Sequence, residues 1–162
     1  MLVEVQALIA SSTYGVPRRT CMGIEDGRAA LLLAVLDRRS DVDLLSRDVY
    51  VNVAGGVRIG ETAADLALCL AIASSRLDIP IPPDVAACGE VGLGGEVRRV
   101  ARLDLRVAEA ARLGFSRVLV PHGATESAPS PHKCEHIPIT NVAEAVTWLR
   151  TSTAGHGHEN RR

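Results

Sequence analysis

The chain has 162 residues, 47% of them hydrophobic and only 2% aromatic, which fits one folded domain with an aliphatic core and excludes a disordered chain. A formal net charge of −1 gives no global field that would draw the domain onto nucleic acid, so any such contact must be local. No apolar run approaches the roughly 20 residues of a membrane span, and no charged start with apolar stretch and cleavage site suggests secretion.

In chain order, "LVEVQALIA" alternates and carries β-branched residues, which predicts a strand over residues 2–9. "TYGVPRR" turns, and "RTCMGI" is a second, short strand. "EDGRAALLLAVLDRR" predicts a helix with Asp26 as N-cap and Arg38 and Arg39 at the end where the dipole favours cations. "RDVYVNVAGG" alternates with Val49, Val51 and Val53 on one face and stops at a glycine pair. Thr62, three residues before Asp65, reads as a short-armed capping box. It opens the helix "LALCLAIA", which is apolar all round and therefore central. "LDIPIPPD" ends that helix. "VAACGEV" and "GEVRRV" predict short strands joined by a hairpin-like turn at "GLGG". "RLDLRVAEAARLGF" is an amphipathic helix with Leu103, Val107, Ala110 and Leu113 inward and Gly114 in the left-handed region at its close. "SRVLVP" is a buried strand, "HGATESAPSPHK" a polar loop, "CEHIPIT" a short strand and "NVAEAVTWLR" a helix capped by Asn141. Residues 1–150 thus form one domain, and 151–162, with nothing to bury, are expected to be a disordered tail.

Strands and helices alternate irregularly, with at least one hairpin-like pair, which indicates an α+β fold and argues against a doubly wound parallel sheet. No G-x-x-x-x-G-K-[ST] is present, so this chain has no Walker-type nucleotide site, and "GLGGEV" lacks the spacing of a dinucleotide loop. Cys21, Cys69, Cys88 and Cys134 are scattered without a Cys-x-x-Cys pair, so no zinc ribbon or other metal site is expected. Cys69 and Cys88 lie in apolar runs and read as buried free thiols, which suits a reducing cytoplasm.

"VNVAGGVRIGETAADLALCLAIASS", "GEVGLGGEVRRV" and "EAARLGFSRVLVP" together resemble the Lon protease proteolytic domain. More closely, the chain is similar to the Lon-like C-terminal domain of the RadA (Sms) family of bacterial recombination and repair proteins. "LVEVQALI", "YGVPRR" and "GRAALLLAVLDRR" belong to the RadA version, and the likeness covers residues 2–150. The resemblance implies the α+β sandwich of ribosomal protein S5 domain 2, commonly assembled into sixfold rings. It also implies that the domain is a hexamer scaffold contributing to DNA binding in a DNA-dependent ATPase that drives branch migration. Its partners would then be copies of itself, single-stranded or branched DNA, and the recombinase machinery. The zinc-finger and ATPase regions of that family have no counterpart here, so no cofactor is expected in this chain. ATP, magnesium and zinc would belong to regions outside it.

Active Lon-type peptidases pair a serine at the start of the helix matching "TAADLALCL" with a lysine in the helix matching "RLDLRVAEA". Alignment puts Ala63 at the serine position and Asp104 at the lysine position, so the resemblance implies a lost dyad and no catalytic residues. The residues agree on their own terms. A serine–lysine mechanism needs an amine that loses its proton near neutral pH. The only lysine is Lys133, in a Pro/Ser loop, and arginine, with a pKa above about 12, cannot replace it. Ser74 and Ser75 sit at the negative end of their helix, the wrong end for an oxyanion. Two competing readings stand beside this one. One is a peptidase rearranged around Thr62 or His122; the other is the Lon-like domain of magnesium-chelatase-like ATPases, which shares the "GE.GL.GE.R" pattern but differs around "ETAADLAL".

All basic residues except Lys133 are arginine. Arg18 and Arg19 lie at a turn, Arg58 follows the glycine pair, and Arg98, Arg99, Arg102 and Arg106 follow in succession. In a strand Arg98 and Arg99 face opposite ways, whereas Arg102 and Arg106 are spaced to share a helix face. These seven are the nucleic-acid-binding candidates, against the alternative of a solvated face paired to Asp104 and Glu109. With few aromatics for stacking, contact would be to the backbone and independent of sequence.

Overall fold

The computed structural model describes residues 1–13, 15–124 and 134–152. Strands β1 (Val5–Ser11), β2 (Arg19–Met22) and β3 (Arg47–Val53) form a mixed sheet in the order β1-β3-β2, with β1 antiparallel and β2 parallel to β3. Val49, Val51 and Val53 all turn into the core, as their alternation predicts, and the register sets Ile9, Ala7 and Val5 beside them. Helix α2 (Asp65–Leu77) packs on β1, and helices α1 (Asp26–Arg39) and α4 (Val142–Ser152) pack on α2 in turn. Leu66, Leu68, Cys69, Leu70, Ile72 and Ala73 are buried, so α2 is covered nearly all round. The central helix is where the sequence put it.

A second sheet, β4 (Val85–Ala87), β7 (Arg117–Pro121) and β8 (Glu135–Ile139), runs β4-β7-β8 and is parallel throughout. Between β4 and β7 the chain makes the antiparallel hairpin of β5 (Glu90–Val91) and β6 (Val97–Arg98), then helix α3 (Leu103–Arg112). Strand β7 serves two cores. Leu119 joins the main one, while Val118 and Val120 meet Cys88 and the α3 residues Leu103, Val107 and Ala110 in a smaller cluster.

The described residues form a mixed α/β domain with three small sheets. The hairpin is present, and among the described residues there is no doubly wound sheet. The parallel sheet goes beyond the sequence expectation, because its strands pair across long crossover connections that leave no local signal.

Several local expectations change. Asp26 is the first residue of α1, and Glu25 occupies the N-cap without a side-chain bond. "VAACGEV" is two strands in different sheets, and Arg99 lies past the end of β6. Leu113 is 45% exposed and Ala111 is buried in its place, because α3 closes at Arg112 and the chain turns through Gly114 at φ 95°. Helix α4 runs to Ser152, two residues past the expected domain end. Asn141 does cap it, accepting from the Glu144 N–H at 2.9 Å, while Glu144 accepts from the Thr140 N–H at 2.7 Å. Expectations for residues 125–133, including Lys133, and for 153–162 fall outside the described residues.

Cys69 and Cys88 are buried free thiols. Burial pushes the Cys69 thiol far up and that of Cys88 up to about 11, so neither supplies a thiolate at neutral pH.

Candidate functional site

After β3 the chain turns at Gly55 and Gly56, both with positive φ, and residues 57–64 lead to the start of α2. A single 3-10 turn, Thr62–Ala64, precedes the helix, and no side chain caps either. Main chain does the capping instead. The Gly89 carbonyl accepts from the Leu66 N–H at 3.1 Å, and the Gly89 N–H donates to the Ala63 carbonyl at 3.0 Å. A Cβ at position 89 would stand 2.7 Å from Val97 Cγ1, so this close approach requires glycine.

The expected capping box is therefore absent, because both of its side chains are captured by β5. Thr62 Oγ1 donates to Glu90 Oε2 at 2.7 Å. The Asp65 carboxylate turns inward, only 1% exposed, and accepts from Arg28 Nε at 2.9 Å, from Arg28 Nη2, and from the Val91 N–H at 3.0 Å. These bonds seat the β5–β6 hairpin on the start of α2, and α3 departs from that hairpin.

Between residues 57–64, the lead into β1, strand β4 and α3 lies a cleft of about 420 Å³. Val5, Ala63, Ala67, Ala87 and Cys88 line it with apolar surface, and Arg58, Glu61, Arg102, Arg106 and Glu109 supply its charges. Ala63, 7% exposed, and the α3 residues Leu105 and Arg106 line the same cleft. Asp104 is exposed on the first turn of α3, between the lining residues Arg102 and Leu105.

Position 63 carries a methyl group, and no lysine occurs among the described residues. Thr62 and His122 do not line the cleft, and neither do Ser74 and Ser75. His122 is exposed just past β7. Ser74 Oγ donates to the Ile79 carbonyl at 2.6 Å, and Ser75 Oγ accepts from the Ile9 N–H at 2.9 Å. Among the described residues no cluster of three metal-ligating side chains exists, and no helix is long and apolar enough to cross a membrane.

Of the seven candidate arginines, the fold brings Arg58, Arg102 and Arg106 together at the cleft. Arg102 does not share a helix face with Arg106; it is the N-cap of α3, at φ 56°. Arg106 pairs with Glu61 and donates from Nε to the Ala101 carbonyl at 2.9 Å. Glu109 is held by Arg112 through two bonds of 2.9 and 3.0 Å, which keep its carboxyl below the usual range. Neither Arg58 nor Arg102 forms an ion pair among the described residues. Arg98 belongs to the hairpin, pairing with Glu96 and, at 3.8 Å, with Glu90. Arg99 is exposed, and Arg18 and Arg19 stand at the start of β2, beside the opposite end of β3 from Arg58. Glu61 and the Arg28–Asp65 pair escaped the sequence reading. Their partners lie 45 and 37 residues away, and only a lone aspartate in an apolar helix hinted at the second.

Residues 37–146 match the Lon protease (S16) C-terminal proteolytic domain. The chain is 48% identical over 155 residues to the DNA repair protein RadA of Bacillus subtilis, covering 96% of this chain and 33% of that protein. Against RadA of Escherichia coli it is 44% identical over 147 residues, 91% of this chain and 32% of the relative. Against that of Haemophilus influenzae it is 50% identical over 123 residues, 76% and 27%. The chain thus spans about a third of the length of these curated relatives.

Proposed function

We propose, on the premise that the chain belongs to the Lon protease (S16) C-terminal proteolytic domain family in the form carried by RadA-type DNA repair proteins, that it is a non-catalytic, DNA-contacting platform. In this reading the fold is the S5 domain 2-like sandwich, and copies assemble as the scaffold of a hexameric ring. The whole protein is then a cytoplasmic, DNA-dependent ATPase of recombinational repair, acting in branch migration beside the recombinase. ATP, magnesium and zinc are bound in regions outside this chain.

The observation that carries the reading is the cleft itself: a methyl group at position 63, three arginines, and, among the described residues that line it, no nucleophile paired with a base. Peptide hydrolysis needs an activated nucleophile, and a guanidinium does not deprotonate to activate one. The same guanidiniums suit phosphate, and their grouping gives the local positive surface that a net charge of −1 otherwise denies. Without aromatic stacking, the contact is to the strand backbone and indifferent to sequence.

Binding of single-stranded and branched DNA measured across a salt series tests this. Arg58→Ala with Arg102→Ala should weaken binding and flatten the log–log salt slope by about 1.4, two phosphate contacts at roughly 0.7 each on a single strand. The control is the same charge change at Arg161 and Arg162. Equal effects from both pairs, or none from either, would refute the phosphate contact. The unmodified chain should leave a labelled unstructured protein intact and resist serine-directed covalent inhibitors. Stoichiometric labelling of any hydroxyl would overturn the non-catalytic assignment.

A further inference from the structure

We infer that the cleft is selective for a phosphate monoester, the terminal phosphate of a single strand or of a free nucleotide, and that Glu61 sets this selectivity. The inference rests on the phosphate-binding reading above and adds the class of phosphate and the residue that chooses it.

Two of the three guanidiniums, those of Arg58 and Arg102, form no ion pair among the described residues, whereas Arg106 already holds the Glu61 carboxylate. An anion that takes the Arg106 Nη2 donor as well as the other two guanidiniums displaces Glu61. Arg106 is the fixed member of the pair, one-third exposed and tied to the Ala101 carbonyl, while Glu61 is two-thirds exposed and can swing into water. Displacement therefore exchanges one carboxylate charge for the charge of the ligand.

An internal phosphodiester brings a single negative charge, so that exchange is close to even. A monoester brings about 1.5 to 2 charges at pH 7 and three acceptor oxygens, so it gains where the diester does not. Three oxygens also give an acceptor to each of the Arg58 and Arg102 forks and to Arg106 Nη2, whose Nε stays on the Ala101 carbonyl. Glu109 does not compete, because Arg112 holds both of its oxygens. The small side chains of Ala63, Ala67 and Ala87 leave room for the attached nucleoside in a space of about 420 Å³. No aromatic ring lines the cleft among the described residues, so the base is accommodated without being read.

The test compares a thymidine 20-mer carrying a 5′-phosphate with the same strand ending in a 5′-hydroxyl, by fluorescence anisotropy of the 162-residue chain. Thymidine monophosphate and thymidine serve as competitors to separate a strand end from a free nucleotide. At pH 7.5 the phosphorylated strand should bind about fivefold tighter, and at pH 5, below the second phosphate pKa of about 6, the ratio should fall toward one. Glu61→Gln should tighten the hydroxyl-ended strand and shrink the ratio. Arg58→Ala with Arg102→Ala should bring the ratio to one, and Arg102→Lys, keeping the charge but losing the fork, should leave it intermediate. All these positions are at the surface, and circular dichroism checks their folding. A ratio of one in the unmodified chain, with both strands weakened alike by the arginine changes, overturns the inference and leaves the DNA reading standing. A ratio that Glu61→Gln does not move also overturns it. If thymidine monophosphate binds and neither strand does, the monoester site stands and the DNA reading falls. If nothing binds, both fall.

Discussion

Arg28 reaches from α1 to a carboxylate that water does not touch, and it also donates from Nη2 to the Val91 carbonyl at 3.1 Å. Removing one member of such a pair leaves a buried charge with too few partners, which costs more than the intact pair contributes. Arg28→Leu should therefore destabilise the domain by about 3–5 kcal/mol in urea denaturation. The double change Arg28→Leu with Asp65→Leu should recover part of that loss, since no charge then stays buried. A double variant that loses as much as the two single variants added together would mean the residues act independently, and the pair would not be a structural unit. Thr62 belongs to the same locality: its hydroxyl is committed to Glu90, which explains why a residue so well placed in sequence for capping does not cap.

Among the elements, Asp84 fixes the register in which β4 meets β7. Its carbonyl accepts from the Ser116 and Arg117 N–H groups at 3.1 and 3.2 Å, and its carboxylate accepts from Arg117 Nη2 at 2.7 Å, Arg117 Nε at 3.1 Å, and Ser116 Oγ. The Arg117 hydrogen bonds hold the Asp84 carboxyl far below the usual carboxylate range. Because the folded-state value lies below the unfolded one, near 3.9, the contribution is fully present above about pH 4 and is lost as the pH falls through the folded-state value. Asp84→Asn should lower the urea midpoint at pH 7, and its gap from the parent should narrow at pH 3 and 2. A gap that stays constant would mean the carboxylate's charge is not what stabilises this junction. What was legible in the sequence follows the same division of near from far. Val49, Val51 and Val53, the apolar girth of α2 and the Asn141 cap rest on neighbours within a few residues, and all three expectations match the structure. The parallel pairing of β4 with β7, the Glu61–Arg106 contact and the inward turn of Asp65 depend on partners more than 25 residues away, where periodicity carries no information. Of the candidate site, the arginine types were legible and their grouping was not.

At the scale of the molecule, the two hydrophobic clusters are unequal. The main core surrounds α2, whereas the smaller one holds α3 by a single face against β7. Helix α3 has ten residues and leaves Leu105 66% exposed. Local opening draws on the least-buried contacts first, so α3 should exchange its amide hydrogens about tenfold or more faster than α2 under native conditions, read by hydrogen-exchange mass spectrometry. Equal protection would mean that both clusters open as one cooperative unit. The consequence reaches the cleft, since Arg102 and Arg106 ride on the less firmly held wall.

The Gly89 bridge at the start of α2 also separates two duties that one residue often carries. Where a side chain caps a helix, that position is bound by two duties, and a mutation there damages architecture along with any chemistry. Here the peptide groups of residue 89 hold the helix start, and the side chain at 63 takes no part in those bonds. That residue answers only to the space around it, which is tight enough to leave 7% of it exposed. One small residue can therefore replace another at this site with the helix start and the fold around it left unaltered.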